Sequence, residues 1–190
     1  MELLTYDNHV FENVDYTGQV IRGVEFQDCT FRACNLADSS FLQCRFLDCT
    51  FDGCNLSLTK LSKSTLSNAL FKNCKVLGVI FSDCQDMLFS PAFERCMLDY
   101  SSFMGKKMVK TIFKRTSLKE ANFTRANLSG SVFSDTDLMG AVFNQTDLSA
   151  ANLADAYNYS IDPELNKLKK AVFSTSGLYG LLEKYDIKIV

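Results

Sequence analysis

Cys29, Cys34, Cys44, Cys49 and Cys54 recur at multiples of five residues, and Cys74, Cys84 and Cys96 extend the series. Sulfurs at such spacing invite a metal-binding or disulfide reading. The close Cys/His pairing of zinc sites is missing, however. His9 is the single histidine, so His-based catalysis and His-rich metal sites are nearly excluded. Acid–base chemistry needs carboxylates that converge in a cleft, and the 22 acids are scattered along the whole chain. Neither a Gly-rich phosphate loop nor a nucleophile elbow is present. These residues predict no catalytic, cofactor or metal site, and therefore no enzyme.

What positions the cysteines is an internal repeat. Every fifth residue from Phe11 to Phe81 is apolar, and so is every fifth residue from Phe93 to Leu153. Chance would produce such a run on the order of one time in 10⁹. Fourteen of the 16 Phe stand at these centres. The residue two before each centre is Ala, Cys, Ser, Thr, Val or Pro in 25 of 28 units, the exceptions being His9, Gln19 and Lys106. Seven of the eight cysteines occupy that position, where Cys acts as a small buried hydrophobe. A period of five fits neither a helix nor a strand. One large and one small inward residue per unit predict a coil of short straight sides and tight turns, stable only when stacked.

The units Ala121-Asn122-Phe123-Thr124-Arg125 and Ala126-Asn127-Leu128-Ser129-Gly130 resemble the pentapeptide-repeat family, over roughly residues 9–157. The resemblance implies an all-β solenoid, a right-handed quadrilateral β-helix with four units per coil. Sorting the centres by twenty agrees with it. Phe11, Phe31, Phe51, Phe71, Phe93, Phe113 and Phe133 share a first face, and Phe41, Phe81, Phe103, Phe123 and Phe143 a third. Leu dominates the second, with Leu36, Leu56, Leu98, Leu118 and Leu138, while Phe26, Phe46, Leu66, Leu88, Met108 and Leu128 fall on the fourth. Seven to eight coils predict a rod of roughly 35–38 Å. Two extra residues must bulge near Asp86 and Met87, within 85–88. Lys106, at an inward position, predicts either a side chain that reaches out to water or a distorted coil.

Lys plus Arg is 20 and Asp plus Glu 22, a net charge of −2. On bulk charge no direct nucleic-acid contact is expected, and no apolar run is long enough for a membrane span. The N-terminus lacks a basic and apolar leader, which predicts a cytoplasmic protein with reduced thiols. The charge is banded: residues 1–59 carry −6, 60–125 carry +7, 126–166 carry −6 and 167–190 carry +3. The second face collects Asp15, Asp38, Asp99, Glu120 and Asp137, read as an acidic partner-binding face. The third face is basic through Arg22, Lys60, Lys63 and Arg125.

After Ala156 the frame ends, which divides the chain into a β-helix, 1–157, and a capping and dimerisation segment, 158–190. Asp162-Pro163-Glu164 predicts a helix start, running to about Leu168. A second helix, Gly177 to Tyr185, is expected to present Leu178, Leu181, Leu182 and Tyr185. Ile187 and Ile189 then alternate as in a strand. So much apolar surface predicts a symmetric homodimer. The tail also resembles the C-terminal module of microcin-immunity and Qnr quinolone-resistance proteins, on Tyr159–Asn166 and Gly177–Tyr185. That resemblance implies a tail-to-tail dimer that mimics B-DNA, binds DNA gyrase or topoisomerase IV, and protects it from quinolones or peptide toxins. The alternative is a pentapeptide-repeat interaction scaffold with an unrelated partner.

Overall fold

The protein was analysed as a computed structural model that describes residues 4–188. Among these, fifteen strands of two to four residues pair in parallel. Nine form one ladder along the first face, from Val10–Glu12 at one end to Val172–Phe173 at the other. Leu4–Asp7, Val24–Gln27, Arg45–Leu47 and Thr65–Ser67 form a second ladder on the fourth face. Val20–Arg22 pairs with Ser40–Leu42 on the third. Isolated bridges continue the pattern, and on the second face they align Asp15, Asn35, Asn55, Lys75, Met97, Ser117, Asp137 and Tyr157. The result is a β-solenoid of about eight turns.

The corners explain the period. The residue two after nearly every centre takes positive φ, as at Asn13, Asp28, Ala33, Asp38, Gln43 and Asp48; Asp83, in a 3-10 turn, and Asp155 are the exceptions. That left-handed turn redirects the chain after each short side. No β-branched residue occupies it among the described residues, because branching at Cβ makes the conformation strained.

The centres stack in register. Phe11, Phe31, Phe51 and Phe71 lie opposite one another, with ring centroids 4.7 to 4.8 Å apart and nearly parallel. Phe81, Phe103, Phe123 and Phe143 repeat this on the third face at 4.7 to 5.2 Å. Each such contact adds about 0.5–1.5 kcal/mol beyond burial. The small inward position has a second task. Cys34, Cys49 and Cys54 donate their thiols to the carbonyls of Phe11, Phe26 and Phe31, 23 residues back. Thr59, Ser64, Ser131, Thr136 and Thr146 donate hydroxyls in the same way. A small side chain with one donor therefore ties each coil to the one beneath it.

The structure moves several expected positions. Leu88, taken as a fourth-face centre, is 58% exposed, while Phe89 behind it is 6% exposed and meets the Phe81 ring at 6.3 Å. The insertion lets the chain slip by one residue, and the larger ring takes the core. Asp86, Met87 and Leu88 form the outward bulge. Lys106 neither reaches water nor breaks the coil. It is 2% exposed, and its Nζ donates to the Cys84 carbonyl at 2.5 Å and to Asp86 Oδ1 at 2.7 Å. It also lies 5.1 Å from the centre of the Phe89 ring. The bulge and the buried lysine, about one coil apart, are two halves of one feature.

At the other end the coiled backbone runs past 157, since Asn152–Leu153 pairs with Val172–Phe173. No helix forms from Asp162 to Leu168. Asp162 accepts from the Glu164 amide at 2.8 Å in a local turn. Asn166 fills the next small inward position, donating to the Phe143 carbonyl at 3.0 Å, which keeps the chain in the coil. The second expected helix is present as one short helical segment, Thr175–Tyr185, whose only α-turn is Tyr179–Leu182. Ser174 caps it by accepting from the Gly177 amide. Ile187 is not in a strand, and Ile189 lies outside the described residues.

Candidate interaction faces

The five second-face acids do not form one row. Asp15 and Asp137 share a column but stand six coils apart in it. Asp38 and Glu120 occupy corner positions with positive φ, and Asp99 lies between those columns. Asp15 and Asp38 sit low on the rod, and Asp99, Glu120 and Asp137 sit high. The coils between them present Leu58, Lys75, Leu77 and Met97, with Tyr100 projecting beside Asp99.

Most of these acids already have partners. The Thr17 hydroxyl and amide hold the Asp15 carboxyl below the usual range. Asp99 accepts from the Ser117 hydroxyl and from the Lys119 amide at 3.0 Å. Asp137 meets Lys119 Nζ at 3.3 Å and Asn158 Nδ2 at 2.9 Å. Glu120 lies over Gly140, where a Cβ would collide with its carboxylate. An open groove of about 540 Å³ runs beside the upper three, lined by Arg95, Arg115, Asp99, Asp135, Asp137 and Tyr157. Both signs of charge meet there, and the Ser117 hydroxyl on its wall donates to Asp99. Among the described residues no cluster of His, Cys, Asp or Glu is arranged to hold a metal.

The first face differs. One outward column reads Glu12, Arg32, Asp52, Lys72, Glu94 and Lys114, strictly alternating in sign. Glu12–Arg32 at 3.6 Å and Glu94–Lys114 at 3.2 Å are direct pairs. Banding along the sequence hides this neutral ladder; sorting outward positions by twenty reveals it. The same sorting exposes lysines on the fourth face, which the sequence reading left unassigned.

The C-terminal segment folds back on the rod. Lys184 Nζ meets Asp162 at 2.6 Å and Glu164 at 2.9 Å, and the two carboxylates push its pKa up. The Tyr185 hydroxyl donates to Glu164 at 3.0 Å. Asp162 and Glu164, read as a helix start, thus act as a clamp. Gly177 and Gly180 let the segment approach Tyr159 too closely for any side chain. Among the residues expected to dimerise, Leu181 packs against the core and Leu182 is half-buried, while Leu178, Tyr185 and Ile187 are exposed.

The profile described as "Pentapeptide repeat region" matches residues 24–103, and that described as "Pentapeptide repeats (8 copies)" matches 116–155. Among solved structures, a trypsin-treated variant of QnrB1, a plasmid-mediated fluoroquinolone resistance protein, superposes with a TM-score of 0.70 at 18% identity over 100% of both chains. A second trypsin-treated QnrB1 variant gives 0.68 at 18% identity, covering 98% of this chain and 97% of that one. HetL, a pentapeptide repeat protein involved in heterocyst differentiation regulation from the cyanobacterium Nostoc sp. strain PCC 7120, gives 0.54 at 18% identity, covering 89% of this chain and 86% of that one. No curated protein matches the sequence significantly. At these identities the structural likeness speaks for the fold, and it agrees with the two profiles and the stacked register of five: the chain belongs to the pentapeptide-repeat family and is built as its right-handed quadrilateral β-helix.

Proposed function

We propose that this chain is a cytoplasmic, non-enzymatic rod that binds a type II topoisomerase, DNA gyrase or topoisomerase IV, by imitating DNA, and so protects it from quinolones or peptide toxins. The observation that carries the reading is the match of the whole chain, C-terminal segment included, to QnrB1. The acids of the second face, above all Asp99, Glu120 and Asp137, would meet the Lys and Arg of a DNA-binding groove. Residues 158–190 would cap the rod and join two copies tail to tail through Leu178, Tyr185 and Ile187, with Leu181 and Leu182 holding the segment in place. Two joined rods would double a length that alone covers little more than one DNA turn of roughly 34–36 Å.

A second reading, a scaffold for an unrelated protein partner, is favoured by the apolar break between the two acidic groups. It also fits the likeness to HetL, which extends over most of both chains. A supercoiling assay with purified gyrase, with and without a quinolone, separates the two. Restoration of supercoiling in the presence of drug supports the first reading. An unchanged drug response at saturating protein supports the scaffold.

A further inference from the structure

The fourth face lies opposite the acidic second face, and its upper half is basic. Bridges align Lys107, Asn127, Asp147 and Lys167 on successive coils. The corner column beside them holds Lys110, Gly130, Ala150 and Lys170, all at positive φ. Lys169 stands between the two columns, above Ser129 and Ser149, and Arg125 flanks them at the neighbouring corner. Lysines therefore cluster on two coils, Lys107 with Lys110 and Lys167 with Lys169 and Lys170. Three coil steps, about 14 Å, separate the clusters.

The floor between the clusters is low and uncharged except for one acid. Ser129, Gly130, Ser149 and Ala150 have short side chains or none, and the Lys110 stem lies against Gly130. Asp147 is half-buried, held by Ser149 and by Lys167 at 3.8 Å, and these contacts keep its carboxyl below the usual range. Among the described residues no carboxylate pairs with Lys107, Lys110, Lys169 or Lys170, and Arg125 contacts Gln145 at 3.0 Å. All four lysines are exposed.

We propose that this saddle binds the phosphate backbone of duplex DNA without reading its sequence. Two lysine clusters about 14 Å apart suit phosphate rows on either side of a groove about 12 Å wide. A protein partner would need a desolvated apolar or aromatic anchor at the centre, and among the described residues the large exposed apolar side chains here are Val109 and, at the Arg125 corner, Leu165, neither on the floor between the clusters. Interfaces with DNA are instead polar and strongly positive. The net charge of −2 speaks against DNA only when averaged over the molecule, since fields in physiological salt reach about 8 Å. The inference is independent of what binds the second face.

The test is fluorescence anisotropy of a labelled duplex of about two helical turns, titrated with the whole protein. Five to six neutralised phosphates predict a slope of log K against log salt of about −4.5 to −5.4. Lys107→Gln with Lys110→Gln, and Lys169→Gln with Lys170→Gln, should each flatten the slope by about 2. Combined, the four changes should weaken binding at least about tenfold at low salt. Lys60→Gln with Lys63→Gln, on the third face, should leave both unchanged. Thermal melting confirms that each variant is folded. No binding at low salt, or full binding by the fourfold variant, overturns the proposal. So does a polyglutamate peptide that competes better than DNA at equal charge concentration, because the face would then serve an acidic protein.

Discussion

The rod below the bulge and the rod above it reach the same geometry with different chemistry. Seven of the eight cysteines lie below the bulge, and Cys96 stands on the first coil above it. Above them the small inward positions hold Ser101, Thr111, Thr116, Ala121, Ala126, Ser131, Thr136, Ala141 and Thr146, and all are buried. The aromatic columns pass through both halves without a change of register. What the fold requires at that position is a small volume, helped by a donor aimed at the coil below; sulfur and oxygen serve alike. The cysteines therefore need no metal or disulfide to explain them.

The largest difference between the halves should emerge in alkali. Burial pushes the Cys49 and Cys84 thiols up from near 9 to about 12. A thiol whose folded pKa is raised contributes stability that is complete below its unfolded pKa and is lost as pH rises through the folded one. Protection of the lower coils against hydrogen exchange should therefore fall between about pH 9 and 12, by up to about 4 kcal/mol per such thiol. The hydroxyl-lined upper coils should hold. Equal losses in both halves would erase the contrast.

Next in size are the aromatic centres. Phe51→Ala should cost about 3–5 kcal/mol by leaving a cavity in a stacked column. The sequence frame puts Phe89 outside the core and predicts a much smaller loss for Phe89→Ala. Its burial predicts a loss of the same order as that at Phe51, and melting curves of the two variants decide between these outcomes.

The junction between the halves comes third. Lys106→Met removes the donor that satisfies the buried Cys84 carbonyl and anchors Asp86. A loss of about 1–3 kcal/mol is expected, with faster proteolysis at residues 85–88 than elsewhere in the rod. Smallest is the exchange of donors. Thr136→Val should cost about 1–2 kcal/mol because the hydroxyl tie to the Phe113 carbonyl is lost. Cys54→Ser should cost less, since the new hydroxyl reaches the same carbonyl. A larger loss for Cys54→Ser than for Thr136→Val would show that sulfur has a task of its own.

Much of this architecture is legible in the amino-acid sequence because every unit repeats one inward demand every five residues. The failures have local causes. Around the bulge, Leu88 and Phe89 are both apolar, and spacing alone cannot say which enters the core. Asp162-Pro163-Glu164 has the residues of a helix start, but they suit a local turn equally, and Asn166 holds that stretch in the coil. The candidate surfaces are harder to read. Lys110 and Lys170 are 60 residues apart yet share a corner column, a relation visible only when outward positions are sorted by coil. The acidic face suffers the reverse error: Asp15 and Asp137 are aligned but distant, and the apolar coils between them divide the row.

The central claim is that second-face acids bind a topoisomerase. Its most direct test is the affinity of purified gyrase for the wild-type chain and for a variant carrying Asp15→Asn, Asp38→Asn, Asp99→Asn, Glu120→Gln and Asp137→Asn, measured across a salt series. Wild-type binding should weaken markedly as salt rises, since the attraction is screened beyond about 10 Å at 0.1 M. The variant should remain folded, keep its oligomeric state and lose binding. Gyrase binding by the neutralised protein as tight as that of wild type, at every salt concentration, would contradict the acidic-face account.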